Sequence, residues 1–269
     1  DIDPFGSPLP FLDSAMQSSA RRSVMEITAT DTAALTGSSA NACLRRYGAK
    51  ISTDGMAHDS AIRLLIATIA RAASRHDRCI IPLLSSWDSH HIRISVKVHR
   101  SIQSANQLEN DLGWRVANPT PEELKFATDA GLHPQGESEG QPFCLLPFDY
   151  PVRRDDERIS GPLWTGPLFD QEVLASMTVE RAVELCGDDA ERAVRYLVDE
   201  AELADVRSLI TTDVLPRYCA VGGPPRLTEL VSGLQEVGYK ACIAKWGAPA
   251  IRTDAPWPIV LQVTEACFD

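Results

Sequence analysis

Asp3-Pro4-Phe5-Gly6-Ser7-Pro8 opens the run whose order decides the fold: a Pro-led amphipathic stretch follows over residues 8–20, then Ser23-Val24-Met25-Glu26-Ile27-Thr28-Ala29, then the loop 30–37. A Pro at the first turn suits a helix start, and alternation over residues 23–29 suits a strand. Turn, helix, strand and loop in that order predict an α/β fold. The loop 30–37 then lies at a strand's carboxyl end, where open α/β sheets bind their ligands.

Outward from this run, residues 38–47 read as a short helix and 57–76 as a long one. On the long helix Ile62, Leu65, Ile66 and Ile69 share an arc of roughly 100°, while Arg63, Arg71, Arg75 and, should the helix continue, Arg78 share the opposite arc. The expectation is one core face and one basic face. Residues 79–86 and 91–99 read as an antiparallel strand pair across the polar turn 87–90. Residues 117–160 are rich in Pro, Gly and acidic side chains and read as a linker or excursion. Beyond Gly161 the pattern is helical over 169–176, 178–187, 189–204 and 226–237, the last closed by Gly238. A hairpin over 239–245 and 250–253 after that helix resembles a winged-helix module. The expected division is therefore 1–116, a linker 117–160, and a smaller α+β domain over 161–269.

Composition narrows the class. The 269 residues are 44% hydrophobic and 23% charged, ordinary globular usage that excludes collagen-like, coiled-coil and wholly disordered chains. No stretch reaches the ~18 apolar residues of a membrane span and no signal peptide opens the chain, so a soluble, cytoplasmic protein is expected. Seven cysteines without a Cys-x-x-Cys pair fit neither a disulfide framework nor a zinc ribbon, and are read as reduced thiols near the core. The net charge is −11, with 21 Arg against 5 Lys. Acid excess with few lysines suits high salt, and a GC-rich genome also favours Arg. Residues 1–110 carry 12 basic and 10 acidic groups, whereas 111–269 carry 14 and 27, so a polyanion would meet the N-terminal half first.

The chemistry is concentrated at the head of the chain. An aryl amine has its lone pair delocalised into the ring, so the nitrogen must be held in place while an acceptor takes up developing positive charge. Asp3 offers a carboxylate, Pro4 a fixed backbone carbonyl and Phe5 a ring that can stack on a base. This resembles the [Asp/Asn]-Pro-Pro-[Tyr/Phe] motif of methyltransferases acting on exocyclic amino groups; alone, an Asp-Pro turn before a helix is also an ordinary cap. The resemblance extends along the chain. Residues 1–8, 11–15, 28–37, 42–48 (Ala-Cys-Leu-Arg-Arg-Tyr-Gly), 81–85 (Ile-Pro-Leu-Leu-Ser), 161–168 (Gly-Pro-Leu-Trp-Thr-Gly-Pro-Leu), 238–241 and 251–256 together resemble the tRNA guanine-26 N2-dimethyltransferase family, in family order.

That resemblance implies a class I, Rossmann-like S-adenosylmethionine-dependent methyltransferase domain followed by a C-terminal RNA-binding domain, with tRNA as partner and neither DNA nor membrane expected. It implies that Asp3 orients the guanine amine and accepts its charge or proton, that the Pro4 carbonyl accepts a second hydrogen bond, and that Phe5 stacks on a base flipped out of its helix. It also implies that the Gly-rich cofactor loop and its acidic partner precede the first residue, so the chain reads as the C-terminal portion of the family's protein, inactive alone and exposing an unpaired sheet edge. The zinc ribbon often found in the family's middle segment is not expected, since only Cys144 lies there.

Other candidates accompany these. Thr30 and Asp31 would shape the base pocket or cap the loop. Arg45, Arg46, Arg63, Arg71 and Arg75 are candidate phosphate contacts, against a solvated helix face. His58 and Asp59 read as a helix cap more readily than as pocket lining. His90-His91 is a poor metal pair because adjacent strand residues face opposite ways. Trp164 and Trp246 read as packing aromatics. A scaffold that binds RNA without catalysis, or an amino-methyltransferase with another acceptor, are the rival functions.

Overall fold

The computed structural model describes residues 1–268 apart from 89, 134–139, 154, 208 and 246–248. The chain divides into two compact units, Asp1–Leu168 and Phe169–Asp269.

The first unit opens with Ile2 lying parallel to a strand: its N–H donates to Glu26 O at 2.8 Å and its carbonyl accepts from Thr28 N at 2.8 Å. Helix α1 (Leu9–Ser18) buries Leu12 and Met16, one turn apart. Strand β1 (Arg22–Ala29) follows, then the short helices α2 (Thr32–Leu35) and α3 (Ala40–Tyr47), and the 18-residue helix α4 (Ala57–Ser74). Strands β2 (Arg78–Asp88) and β3 (His91–Arg100) form the expected antiparallel pair. β3 also pairs antiparallel with β1, giving the order β1-β3-β2 with Ile2 beyond β1. β1 and β2 therefore run parallel, joined by the crossover that contains α4, as an α/β layer requires. Helix α5 (Ile102–Asn106) leaves the end of β3.

The expected linker is instead part of the first unit. Strands β4 (Leu112–Ala117), β5 (Phe143–Pro147) and β6 (Ile159–Trp164) form a second antiparallel sheet in the order β5-β4-β6. Helix α6 (Pro121–Asp129) covers it, starting in a Thr120/Glu123 capping box. Val116, Leu124, Ala127, Cys144, Leu146 and Ile159 make a core of their own. Lys50 and Gly161 exchange backbone hydrogen bonds at 3.1 and 2.8 Å, tying this sheet to the loop after α3. The boundary consequently falls at Leu168, not at 116 or 160.

The basic face predicted for α4 is corrected for the same reason. The helix packs against β2 and also against β6, so it is buried on nearly every side. Arg63 is 1% exposed, donates through Nε to Asp59 Oδ2 at 2.8 Å, and caps the carbonyls of Trp164 and Gly166 at 3.1 and 3.3 Å. It is not available to a phosphate. Arg71 is half-buried, and desolvation draws its pKa down. Arg75 reaches solvent but is shared with Asp13 at 2.9 Å. The helix stops at Ser74, and Arg78 begins β2 rather than continuing the helical face.

The second unit carries α7 (Gln171–Ser176), α8 (Val179–Cys186) and α9 (Asp189–Glu200), followed by β7 (Ile210–Thr211), α10 (Leu227–Glu236), β8 (Ala241–Lys245), β9 (Pro249–Thr253) and α11 (Trp257–Ala266). The expected hairpin is β8–β9, with β7 added on the far side of β9. Leu215, Leu230, Leu234, Ile251, Trp257, Val260 and Val263 form the core. Arg252 is buried against Glu200 at 3.3 Å and donates to Val206 O at 2.6 Å. Trp164 is a buried packing residue of the first unit, as expected, while Trp246 lies outside the described residues. No described helix is long and apolar enough to cross a membrane.

Candidate active site

Two loops leave the same edge of the first sheet. Because Ile2 and β1 run parallel, the Asp3–Pro8 turn and the Thr30-Asp31 loop both emerge at the carboxyl end. They are clamped together: Gly6 N donates to Thr30 Oγ1 at 2.6 Å, and Thr30 N donates back to Gly6 O at 2.9 Å. Gly6 sits at φ +89°, which explains a glycine there. Phe5, one residue earlier, is fully exposed, and Asp3 is exposed beside the half-buried Pro4.

A second connection lies beneath. Tyr47, buried at the end of α3, donates its hydroxyl to Asp31 with both carboxylate oxygens at 2.8 Å, and its oxygen lies 2.9 Å from Ser7 Oγ. Burial, and then the Asp31 carboxylate, push the Tyr47 pKa up, so the phenol stays a donor. The Asp31 side chain is 7% exposed and takes Arg46 Nη1 at 3.2 Å from the solvent side. The fold thus brings Asp3, Pro4, Phe5, Thr30, Asp31 and Arg46 to one edge. Arg45 is exposed on α3 beside Arg46. Arg63 is carried away into the core, and Arg71 and Arg75 are held as described above. Sequence reasoning missed Tyr47; the available signal was a tyrosine following Arg45-Arg46 where the helix turns at Gly48.

Gly37, which closes this loop, adopts φ +82°, and a Cβ there would stand 2.1 Å from Ile51 O. Gly113 and Gly166 are similarly filled, by Leu146 O at 2.0 Å and by the Trp164 ring at 2.9 Å. These close approaches are occupied by the chain itself. His58 packs edge-on to Trp87 with centroids 4.3 Å apart, and burial lowers its pKa; Asp59 is the partner of Arg63. Both are packing residues. Among the described residues no three His, Cys, Asp or Glu side chains gather as metal ligands.

An α/β layer with an Asp-Pro-Phe turn at its carboxyl edge resembles the arrangement of amino-methyltransferases. The sequence model of the N2,N2-dimethylguanosine tRNA methyltransferase family matches residues 1–265, and the chain belongs to that family. The tRNA (guanine(26)-N(2))-dimethyltransferase of Thermococcus kodakarensis is 31% identical over 98% of this chain and 63% of its own length. That of Methanocorpusculum labreanum is 31% identical over 97% of this chain and 64% of its own. A solved structure of Trm1 from Pyrococcus horikoshii with S-adenosyl-L-methionine superposes at a TM-score of 0.79, with 28% identity over 98% of this chain and 64% of that one. The chain therefore spans slightly less than two thirds of the relatives it matches.

Proposed function

We propose that this chain supplies the acceptor side of a tRNA (guanine-26 N2)-dimethyltransferase, forming N2,N2-dimethylguanosine. The observation that carries the reading is the Asp3–Pro8 turn, clamped by Thr30 at the sheet's carboxyl edge with Phe5 wholly in solvent. A fixed backbone with an unburied ring is what stacking on an extruded guanine requires. Asp3 and the Pro4 carbonyl are the acceptors for the N2 hydrogens, holding the amine in one orientation and offsetting its developing positive charge. Asp31, held by Tyr47 and Arg46, lies beside this turn.

S-adenosyl-L-methionine is the methyl donor of the reaction proposed. The described residues do not fit it: the glycines of close approach are filled by Ile51, Leu146 and Trp164, and the two loops at the carboxyl edge close on each other. What these residues offer is amine acceptors, so the chain's part is to hold the guanine. The parallel Ile2–β1 pairing followed by the β3–β2 hairpin resembles the second half of a class I methyltransferase sheet. The second unit, with its helix and hairpin of winged-helix-like order, is the proposed RNA-binding domain, in a protein working in the cytoplasm.

The test is methyl transfer from labelled S-adenosylmethionine to an unmodified tRNA transcript by the intact protein. Asp3→Ala should lower kcat by about 10²–10³-fold, the scale of removing one stabilising hydrogen-bond partner of a transition state. Phe5→Ala should weaken productive binding by the roughly 1–3 kcal/mol of a base–aromatic stack, without loss of stability, because the ring is exposed. A transcript with adenine at position 26 should give no product. Full activity of both variants would refute the reading, and RNA binding without transfer would leave a non-catalytic scaffold.

A further inference from the structure

Four arginines gather at the end of the first sheet remote from the acceptor turn, where β1 and β2 begin and β3 ends. Arg21 and Arg22 precede and open β1, Arg78 opens β2, and Arg100 closes β3. Arg78 and Arg100 are direct cross-strand partners, and like charges facing each other across a ladder cost stability. Arg78 is nearly buried, its guanidinium fixed by donation to Ser19 O at 2.6 Å and Ala20 O at 2.7 Å. It lines a cleft of about 630 Å³ shared with Arg21, Arg100, Ser101, Ile102 and Gln103.

Charge there is poorly compensated. Among the described residues these four arginines form a single ion pair, Arg100 Nη2 with Asp77 Oδ2 at 3.7 Å. Most other described arginines of the first unit are paired with carboxylates, among them Arg46 with Asp31, Arg63 with Asp59, Arg75 with Asp13 and Arg115 with Asp54, whereas Arg45 and Arg71 form no ion pair among the described residues. A locally basic cleft on a chain of net charge −11 suits a polyanion, whose phosphates would offset the repulsion among these arginines.

We propose that this cleft binds the phosphodiester backbone of the same RNA whose base enters the acceptor turn, an inference that rests on the reading given under Proposed function. The cleft and the Thr30-Asp31 loop lie at opposite ends of β1, whose eight residues span about 25 Å at the usual strand rise. A structured RNA is long enough to engage both. Arg78 presents a fixed charge from the floor, and Arg21 and Arg100 reach from the rims with forks suited to phosphate oxygens. Two anchors on one rigid sheet set the angle at which the RNA approaches the turn. The cations are then not on the face of α4 but at the end of the strands it packs against.

The experiment measures the affinity of the intact protein for an unmodified tRNA transcript from 50 to 300 mM salt. Arg21→Glu/Arg100→Glu is compared with Arg21→Lys/Arg100→Lys and with Lys125→Glu/Arg153→Glu, which changes net charge equally at exposed sites paired with Asp129 and Asp155. Arg78 is left alone because it holds backbone carbonyls, and thermal melting checks that each variant folds. The cleft double charge reversal should raise Kd at least about tenfold at low salt and flatten the log Kd–log salt slope by about 1.5, two phosphate contacts at ~0.7–0.9 each. The lysine variant should keep most of both, the control should keep the slope, and kcat at saturating tRNA should hold while KM rises. An unchanged slope in the reversed variant, or an equal loss in the control, overturns the proposal while leaving the methyltransferase reading intact. Arginine-dependent binding without methyl transfer sustains the cleft and sinks that reading; absence of any tRNA binding sinks both.

Discussion

Replacing Tyr47 with Phe removes one oxygen from the acceptor edge and tests whether the turn is positioned from below. In the wild type that hydroxyl lies 2.8 Å from both Asp31 oxygens and 2.9 Å from Ser7 Oγ. A hydrogen bond to a charged group contributes about 1.5–3 kcal/mol. Arg46 cannot replace it, because its side chain is 44% exposed and screened pairs of this kind contribute at most about 1 kcal/mol. The variant should therefore lose about 2 kcal/mol of stability, a fall of about 1 M in the urea midpoint at an ordinary m-value. Ser7 also loses its anchor, next to the Gly6 clamp. A displacement of 1 Å at a reacting centre costs about 10²-fold, so kcat should drop about 10–100-fold, with KM for tRNA within about threefold of wild type. Ser7→Ala alone should cost only about 1 kcal/mol, and the double variant should lose less than the sum, because the two residues share one bond. Urea denaturation and single-turnover methyl transfer decide the matter. Lower stability with unchanged kcat would refute the positioning role, and no change in either would refute the network itself.

Arg63→Ala strands the Asp59 carboxylate in the core and should cost about 3–5 kcal/mol by denaturant titration; a loss below 1 kcal/mol would mean that β6 does not seal the pair. Arg158, 2.8 Å from Asp156 and 3.0 Å from Glu123, holds the Asp156 carboxyl below the usual carboxylate range, chiefly by its hydrogen bond. The folded value lies below the unfolded one, so this stabilisation is present above about pH 4 and fades as pH falls through the folded value. Asp156→Asn should be less stable than wild type at pH 7, and the gap should close on acidification; a gap independent of pH would refute it. Burial pushes the thiols of Cys43 up to about 11 and of Cys144 and Cys242 up to about 12. Exposed Cys186 should therefore react with a thiol reagent at pH 8 well before these three, which mass spectrometry of labelled peptides would read directly.

What was legible in the sequence was whatever repeats locally. Alternation marked β1 and the β2–β3 hairpin, and helical period marked α1, α4 and most helices of the second unit. The β5-β4-β6 sheet was not legible, for a physical reason. β4 buries residues on both faces, including Arg115, so it has no clean alternation, and its partners are a five-residue strand and one more than forty residues away. That hidden sheet also defeated the reading of Arg63, since the face opposite Ile62 is solvent only if nothing packs there. The proposed acceptor turn could be singled out as candidate chemistry because Asp3, Pro4 and Phe5 are contiguous. Tyr47 was not, because its role exists only once α3 brings it under a loop forty residues earlier.

The arginines show why counting charges misjudges a surface. Arg63, Arg115 and Arg252 are the three largest fully buried side chains described. Each answers a carboxylate together with neutral oxygens: Arg115 takes both Asp54 oxygens at 2.8 and 2.9 Å and Ser160 Oγ at 2.9 Å. A planar fork can meet several acceptors at fixed angles, whereas an ammonium is a point charge that hydrates strongly. The preference for Arg over Lys is thus used inside the protein, apart from any effect of salt or genome composition. Only Arg63 of the three lies within residues 1–110, and Asp59 of the same half is buried with it, so this burial leaves the basic excess of that half unchanged at the surface. Among the described residues the strand-end cleft gathers Arg21, Arg78 and Arg100 with a single ion pair, Arg100 with Asp77, so the placement of guanidinium groups, rather than their number, bears on where an anionic partner can approach this acidic chain.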